Sequence, residues 1–171
     1  MSISPQPPAL AFVALGANLD DPVAQVRAAG EALAELPQSK LLRISSLYRT
    51  TPVGIHGQPD FINAVAALET QLAPHELLTA LFAVEAHFGR RRDFHHAPRT
   101  LDLDLLLFDE QTIVSEQLCL PHPRMHLRAF VLAPLLEIAP GCLIPGRGSA
   151  AAWLAAVSMQ HIERIAPVPT C

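Results

Sequence analysis

The clearest capacity for chemistry lies in two aspartates set in a run of leucines. In Leu101-Asp102-Leu103-Asp104-Leu105-Leu106-Leu107-Phe108 acid and leucine alternate as in a β-strand. Asp102 and Asp104 then share one face about 7 Å apart, while Leu101, Leu103 and Leu105 turn into a core. Beyond Asp104 the run is apolar on both faces, the pattern of a central strand rather than a solvated edge. Aspartate is depleted in strands, so the pair needs partners. Just ahead lies Gly89-Arg90-Arg91-Arg92-Asp93-Phe94-His95-His96-Ala97-Pro98-Arg99-Thr100, where Arg90, Arg91, Arg92 and Arg99 are crowded together. Carboxylates are hard oxygen ligands suited to Mg²⁺, and guanidinium forks grip phosphate oxygens, so the two groups fit a metal-polyphosphate site. Two blander readings stand beside this one. The acids are solvated at a strand end or neutralised by the arginines, and the arginines form surface pairs contributing about 0–1 kcal/mol each.

Two further patches carry ligand-binding chemistry. Thr50-Thr51-Pro52-Val53-Gly54, followed by Phe61 and Asn63, offers exposed backbone, an aromatic ring and a carboxamide. Phe61 and Asn63 share a strand face, so a flat heteroaromatic ligand can stack on the ring while its edge pairs with the amide. The alternative is a core phenylalanine beside a strand-end asparagine. The second patch, His122-Pro123-Arg124-Met125-His126-Leu127-Arg128-Ala129-Phe130, places two His and two Arg ahead of an apolar helix. Its His122/His126 spacing resembles a zinc pair, but Pro123 argues against a regular helix there, and a phosphate-facing donor set is the better reading. Gly146-Arg147-Gly148-Ser149 reads as a turn with an N-cap rather than an anion site, and the acids after Gly16 serve better as caps than as a phosphate loop. No P-loop, GxGxxG, HExxH, GxSxG or protein-kinase motif occurs.

The elements that must position these groups alternate strand and helix. Leu10 to Leu15 reads as a strand stopped by Gly16, and Asp20-Asp21-Pro22 as the start of a helix carrying Val23, Val26, Leu33 and Leu36. Leu41 to Tyr48 and Phe61 to Thr70 read as strands. Pro74 opens a second helix with Leu77, Leu78, Leu81 and Val84 on one stripe, and Gly89 closes it. Leu101 to Phe108 is a strand, followed by a turn at Asp109 to Gln111 and a short strand near Ile113. A long Pro/His-rich loop covers Ser115 to Met125, a third helix Arg128 to Glu137, and a fourth, capped by Ser149, Ala150 to Val157. The order β-α-β-β-α-β plus C-terminal helices is an α+β, ferredoxin-like pattern.

The chain has 171 residues, room for one ordinary domain, read as 9–171 behind a flexible tail at 1–8. Half the residues are hydrophobic and 16% are charged, which excludes a disordered chain. Eleven of the twelve basic residues are Arg, yet the net charge is -4. That sign argues against a nucleic-acid or acidic-membrane binder, and no run approaches the ~20 apolar residues of a membrane span. Cys119, Cys142 and Cys171 lack metal-ligand spacing and read as free thiols in a reducing cytoplasm.

With these residues in view, the sequence resembles the 6-hydroxymethyl-7,8-dihydropterin pyrophosphokinase family of folate biosynthesis. The resemblance rests on LGANLDDP at 15–22, SSLYRTTPVG and QPDFINAV within 45–65, GRRRDFHHAPRTLDLDLLLF at 89–108 and LPHPRMHLRAFVLAPLLEIAP at 120–140. It implies a ferredoxin-like fold with mobile loops, and transfer of the β,γ-diphosphate of MgATP to the pterin hydroxymethyl group with release of AMP. It further implies that Asp102 and Asp104 hold two Mg²⁺ ions, and that Arg92, Arg99, His122 and Arg128 contact the triphosphate. Arg90 matches a catalytic-loop arginine, and Glu85 a position near the nucleotide. Phe61 and Phe130 resemble the aromatics that sandwich the pterin, with Thr50, Asn63 and the backbone of Val53 and Gly54 reading its polar edge. His95-His96-Ala97 depart from the Arg-aromatic pair that many members carry before Gly-Pro-Arg. A stand-alone monomer is expected. A non-catalytic nucleotide- or anion-binding module is the alternative, and an RNA-binding ferredoxin-like domain ranks last because the chain is acidic and poor in aromatics.

Overall fold

Residues 6–51, 59–89 and 101–166 are described by the computed structural model. Strand β1 (Ala9–Ala17) leads into α1 (Pro22–Ala34), then β2 (Ser39–Ile44), β3 (Leu47–Thr50) and β4 (Phe61–Thr70). Helix α2 (Pro74–His87) is followed by β5 (Asp102–Phe108), β6 (Ile113–Val114), β7 (Cys119–Leu120) and a 3₁₀ turn at Met125–Leu127. Helix α3 (Ala129–Ile138), β8 (Leu143–Ile144), β9 (Gly148–Ser149), α4 (Ala150–Ala156) and β10 (Glu163–Ala166) complete the order. The main sheet runs β10-β3-β4-β1-β5, with β2 also on β4, and each pairing is antiparallel. This is the expected ferredoxin-like α+β core with additional C-terminal helices.

Local chemistry explains the helix ends. Asp21 caps α1 by accepting from the Ala24 amide at 3.3 Å, with Pro22 in the first turn. Glu76 reaches back to the Ala73 amide at 2.9 Å to start α2, and Gly89, at φ +81°, ends it in the left-handed conformation glycine tolerates. Ser149 caps α4 as read, accepting from the Ala152 amide. The apolar faces divide into two cores on opposite sides of the sheet. Val13, Leu15, Ile62, Leu68, Leu103 and Leu105 pack against Val26 and Leu33 of α1 and Leu77 and Leu81 of α2. Phe12, Val65, Leu106 and Leu107 pack against Leu132 and Leu135 of α3 and Ala150 of α4.

The structure departs from the sequence reading in several places. Strand β1 is not stopped by Gly16 but stays paired with β4 through Ala17, because a glycine flanked by ladder partners on both sides can remain extended. The single strand expected over Leu41 to Tyr48 is broken at Ser45-Ser46. The Ser45 amide donates to the Val65 carbonyl at 2.9 Å, Ser45 Oγ accepts from the Val65 amide at 2.9 Å, and the Ser46 amide leaves the ladder to donate to Glu137 Oε2 at 2.6 Å. A serine hydroxyl thus substitutes for a backbone acceptor, which hydropathy does not register. β5 lies at the edge of the sheet path rather than at its centre. Its apolar end is hidden because α3 and α4 cover one face, and its outer backbone is met by Glu85 at the Leu103 amide (3.0 Å) and by the His122 amide at the Leu106 carbonyl (2.9 Å). The expected loop over Ser115 to Met125 contains β7, which pairs with β6. Finally, two pairings have no counterpart in the sequence reading: the short β8 with β9, and β10 on the edge of β3, where Glu163 pairs with Arg49.

Candidate active site

The second core runs out along the sheet before the sheet ends. On the face that α3 and α4 cover, β1 presents Phe12, Ala14 and Gly16 in turn, β5 presents Leu106, Asp104 and Asp102, and β4 presents Val65, Asn63 and Phe61. Large apolar groups give way to small and polar ones toward one end. Above that end opens a cavity of about 1150 Å³, floored by Ala14, Gly16, Phe61, Asn63, Asp102 and Asp104.

Register decides what meets on this floor. Gly16 pairs with Asn63 on one side and with Asp102 on the other, and Ala14 pairs with Val65 and Asp104. Thr50 sits opposite Phe61, and its Oγ1 accepts from Asn63 Nδ2 at 3.0 Å. A Cβ at Gly16 would lie 3.2 Å from Asn63 Oδ1, so the missing side chain clears the space over that oxygen. Asn63 is only 6% exposed, held rigidly with one end of its amide committed to Thr50.

The opposite wall comes from the 3₁₀ turn and the start of α3. Arg124, Leu127, Arg128 and Phe130 line the cavity, and the Arg128 guanidinium carbon stands 5.5 Å from the Phe130 ring centroid, a cation-π distance. The two aromatics, Phe61 from β4 and Phe130 from α3, therefore open onto one space, with the carboxylates farther along the sheet. His122 is beside this group without lining the cavity. Its Nδ1 accepts from the Arg124 amide at 3.1 Å, so its neutral ring carries the proton on Nε2. Burial, with Arg128 and Arg124 nearby, pushes the imidazole down to about 4 against the opposing pull of Asp102. His122 is thus a neutral N–H donor at neutral pH.

Among the expected site residues, Thr50, Phe61, Asn63, Asp102, Asp104, Arg128 and Phe130 converge on the one cavity. Glu85 does not: it is 1% exposed, on the α2 side, with Oε2 accepting from the Leu103 amide between the two aspartates. Arg90, Arg92, Arg99, Val53, Gly54 and the His95-His96-Ala97 departure lie outside the described residues. His126 packs edge-on against Trp153, ring centroids 4.7 Å apart. Gly146 and Arg147 lie in the β8–β9 turn, and Gly148 opens β9.

Several cavity residues were missed from sequence. Leu127 and the segment Met159 to Ile162 reach the cavity through the tertiary fold, whereas Arg124 belongs to the donor patch already read from sequence. Ala14 and Gly16 carried a readable signal, small residues on alternate positions of an otherwise large apolar strand, which marks close approach of another group.

A ferredoxin-like α+β sheet with an aromatic and carboxamide end, a carboxylate end and a cationic wall around one cavity offers a site for a flat ring and a polyanion side by side. The comparisons with known proteins agree. The family model for 7,8-dihydro-6-hydroxymethylpterin-pyrophosphokinase (HPPK) matches residues 12–140. A Pseudomonas aeruginosa 2-amino-4-hydroxy-6-hydroxymethyldihydropteridine pyrophosphokinase is 47% identical over 154 residues, covering 90% of this chain and 95% of the relative. The Bacillus subtilis protein of the same name is 43% identical over 129 residues, covering 75% of this chain and 77% of its own length. Among solved structures, Plasmodium falciparum HPPK-DHPS matches with a TM-score of 0.71 at 14% identity over 91% of this chain, a likeness of fold. The chain spans 43% of that longer protein. The chain belongs to the 7,8-dihydro-6-hydroxymethylpterin-pyrophosphokinase family, and it is a pyrophosphokinase of folate biosynthesis. Among the described residues no helix is long and apolar enough to cross a membrane.

Proposed function

We propose that the cavity binds ATP and 6-hydroxymethyl-7,8-dihydropterin together and transfers the β,γ-diphosphate to the pterin hydroxymethyl group, releasing AMP. The observation that carries this reading is the row Asn63, Gly16, Asp102 across three adjacent strands, which sets a ring-reading amide and a carboxylate about 10 Å apart on one floor. The pterin lies between Phe61 and Phe130, its edge paired with Asn63, Thr50 and the backbone of Val53 and Gly54.

The donor set fits Mg²⁺. Asp102 and Asp104 supply hard oxygens from one strand face, and among the described residues no group of three acidic, His or Cys side chains competes for a metal. A protein supplying one or two carboxylates suits an ion that also binds nucleotide phosphates, and we propose two such ions. When bound, Mg²⁺ neutralises phosphate charge and fixes the β-phosphorus for in-line attack. Arg92, Arg99 and Arg128 offset the remaining charge, neutral His122 donates through Nε2, and Arg90 contributes to the catalysis. Glu85 holds the Leu103 amide, and with it the spacing of Asp102 and Asp104, rather than touching nucleotide.

This reading takes residues 9–171 as one unit, acting as a monomer in the cytoplasm. The free Cys119 and Cys142 accord with a reducing compartment. A non-catalytic nucleotide-binding module is not favoured, because it leaves the Phe61 and Asn63 end without a role. The test is AMP release from MgATP with and without the hydroxymethyl-dihydropterin. AMP should appear only when the pterin is present. ATP binding with no pterin-dependent AMP would refute the reading.

A further inference from the structure

The segment between α4 and β10 reaches the cavity with a polar side chain that the proposed chemistry leaves unused. Gln160 accepts from the Ala129 amide through Oε1 at 2.8 Å and donates through Nε2 to the Leu127 carbonyl at 2.8 Å. These two groups flank Arg128 on either side. Ala129 is the first residue of α3, and its amide is one of the four at a helix start that lack an intrahelical acceptor. Arg128 occupies the N-cap position but its side chain makes no capping bond, so the guanidinium is released toward Phe130 and the cavity while Gln160 does the capping from outside.

We infer that Gln160 is a positioning residue for Arg128: one carboxamide pins the peptide groups before and after it and so fixes where its guanidinium enters the cavity. The arrangement has a second anchor. Three residues after Gln160 the chain joins the sheet, where Glu163 pairs with Arg49 next to Thr50. The clamp therefore ties the start of α3 to the strand that holds Thr50 and, through it, Asn63. A long Arg side chain loses rotamer freedom when it binds phosphate, and a fixed backbone on both sides lowers that cost by preorganisation.

The inference rests on the proposed contact between Arg128 and the nucleotide, and its test separates the two. Steady-state KM for ATP and kcat would be measured for Q160M, R128A and the double variant, with thermal midpoints for each. Q160M removes both hydrogen bonds at nearly constant volume. We expect its KM for ATP to rise about 10-fold with kcat within about threefold of wild type, a loss of binding rather than of chemistry. In the R128A background the same substitution should change KM by less than about twofold, because the residue it positions is gone. A purely structural cap would lower the thermal midpoint and leave KM for ATP unchanged in folded protein, and that result would overturn the inference. So would equal effects of Q160M with and without Arg128. If R128A itself leaves KM for ATP unaltered, the nucleotide contact of Arg128 fails, while pterin-dependent AMP release continues to test the reaction independently. Should Q160M not fold, Q160A carries the same comparison against Q160A/R128A.

Discussion

Asn63 and Asp102 are register partners of the same residue, Gly16, one on each neighbouring strand. Two strand spacings separate them by about 10 Å, and the residue between them has no side chain. The Asn63 amide, proposed to read the pterin, and the Asp102 carboxylate, proposed to hold metal, therefore rise from one open floor at a separation that the sheet itself maintains.

Gly16 is accordingly a lever on substrate fit. Its φ is not in the left-handed region, so the backbone accepts alanine, but the new Cβ would press on Asn63 Oδ1 at 3.2 Å. Asn63 cannot yield without breaking its bond to Thr50. G16A should fold, with KM for the pterin raised about 10-fold and KM for ATP little changed, since overpacking typically costs about 1–3 kcal/mol. An unchanged pterin KM in steady-state kinetics would contradict this.

Asp102 and Asp104 line the cavity rather than the core, and the proposed reaction assigns them the metal. Both point to the cavity while Leu103 and Leu105 fill the opposite face. D102N and D104N should each lose about 100-fold or more in AMP formation, because metal-assisted charge stabilisation supplies several kcal/mol. Circular dichroism and thermal midpoints should remain near wild type. Undiminished turnover in either variant would remove it from the metal site.

Glu137 is the joint between α3 and the broken strand. Its carboxylate accepts from the Ser46 amide at 2.6 Å and from the Tyr48 hydroxyl at 2.8 Å, with Arg164 of β10 at 3.7 Å. Burial pushes the carboxyl up, but the Ser46 and Tyr48 bonds and Arg164 together hold it below its ordinary value. Burial and the same carboxylate push the Tyr48 phenol up to about 12. E137A should destabilise the fold by about 2 kcal/mol in urea unfolding, as two donors lose their acceptor. With its folded pKa depressed, Glu137 stabilises above the unfolded value, and that contribution is lost as pH falls through the folded value. Wild type should thus lose stability more steeply than E137A below about pH 4.3, the unfolded Glu value.

His126 titrates in the opposite charge sense and at higher pH. It is 6% exposed against Trp153, and among the described residues Nδ1 has no hydrogen-bond partner. Burial, with Arg147 nearby, holds its pKa below the ordinary value. Between the folded and unfolded pKa values the unfolded chain binds more protons, so stability falls as pH drops below about 6.5. Trp153, the only tryptophan, reports unfolding directly. The thermal midpoint should drop from about pH 7.5 to 5.5, and H126F should flatten part of that drop, His122 contributing the rest. A pH profile identical in H126F and wild type would rule His126 out.

The sequence by itself determined what depends on local pattern. The period-2 run at Leu101 to Phe108 placed Asp102 and Asp104 on one face, and Phe61 and Asn63 were paired by the same rule. Asp21-Pro22, Pro74, Gly89 and Ser149 marked helix ends because caps and turns are chosen by nearby backbone geometry. Tertiary structure decided everything that required distant segments to meet. Whether β5 was central or at an edge depended on strand order, and Gly16 acquired its role only when register placed it between Asn63 and Asp102. Ser46 and Tyr48 bond to a carboxylate 91 and 89 positions away, and Gln160 reaches back 31 and 33 positions to straddle Arg128. Those bonds join polar groups whose partners no hydropathy period predicts, because a hydrogen bond is chosen by position in space and a period records only position along the chain.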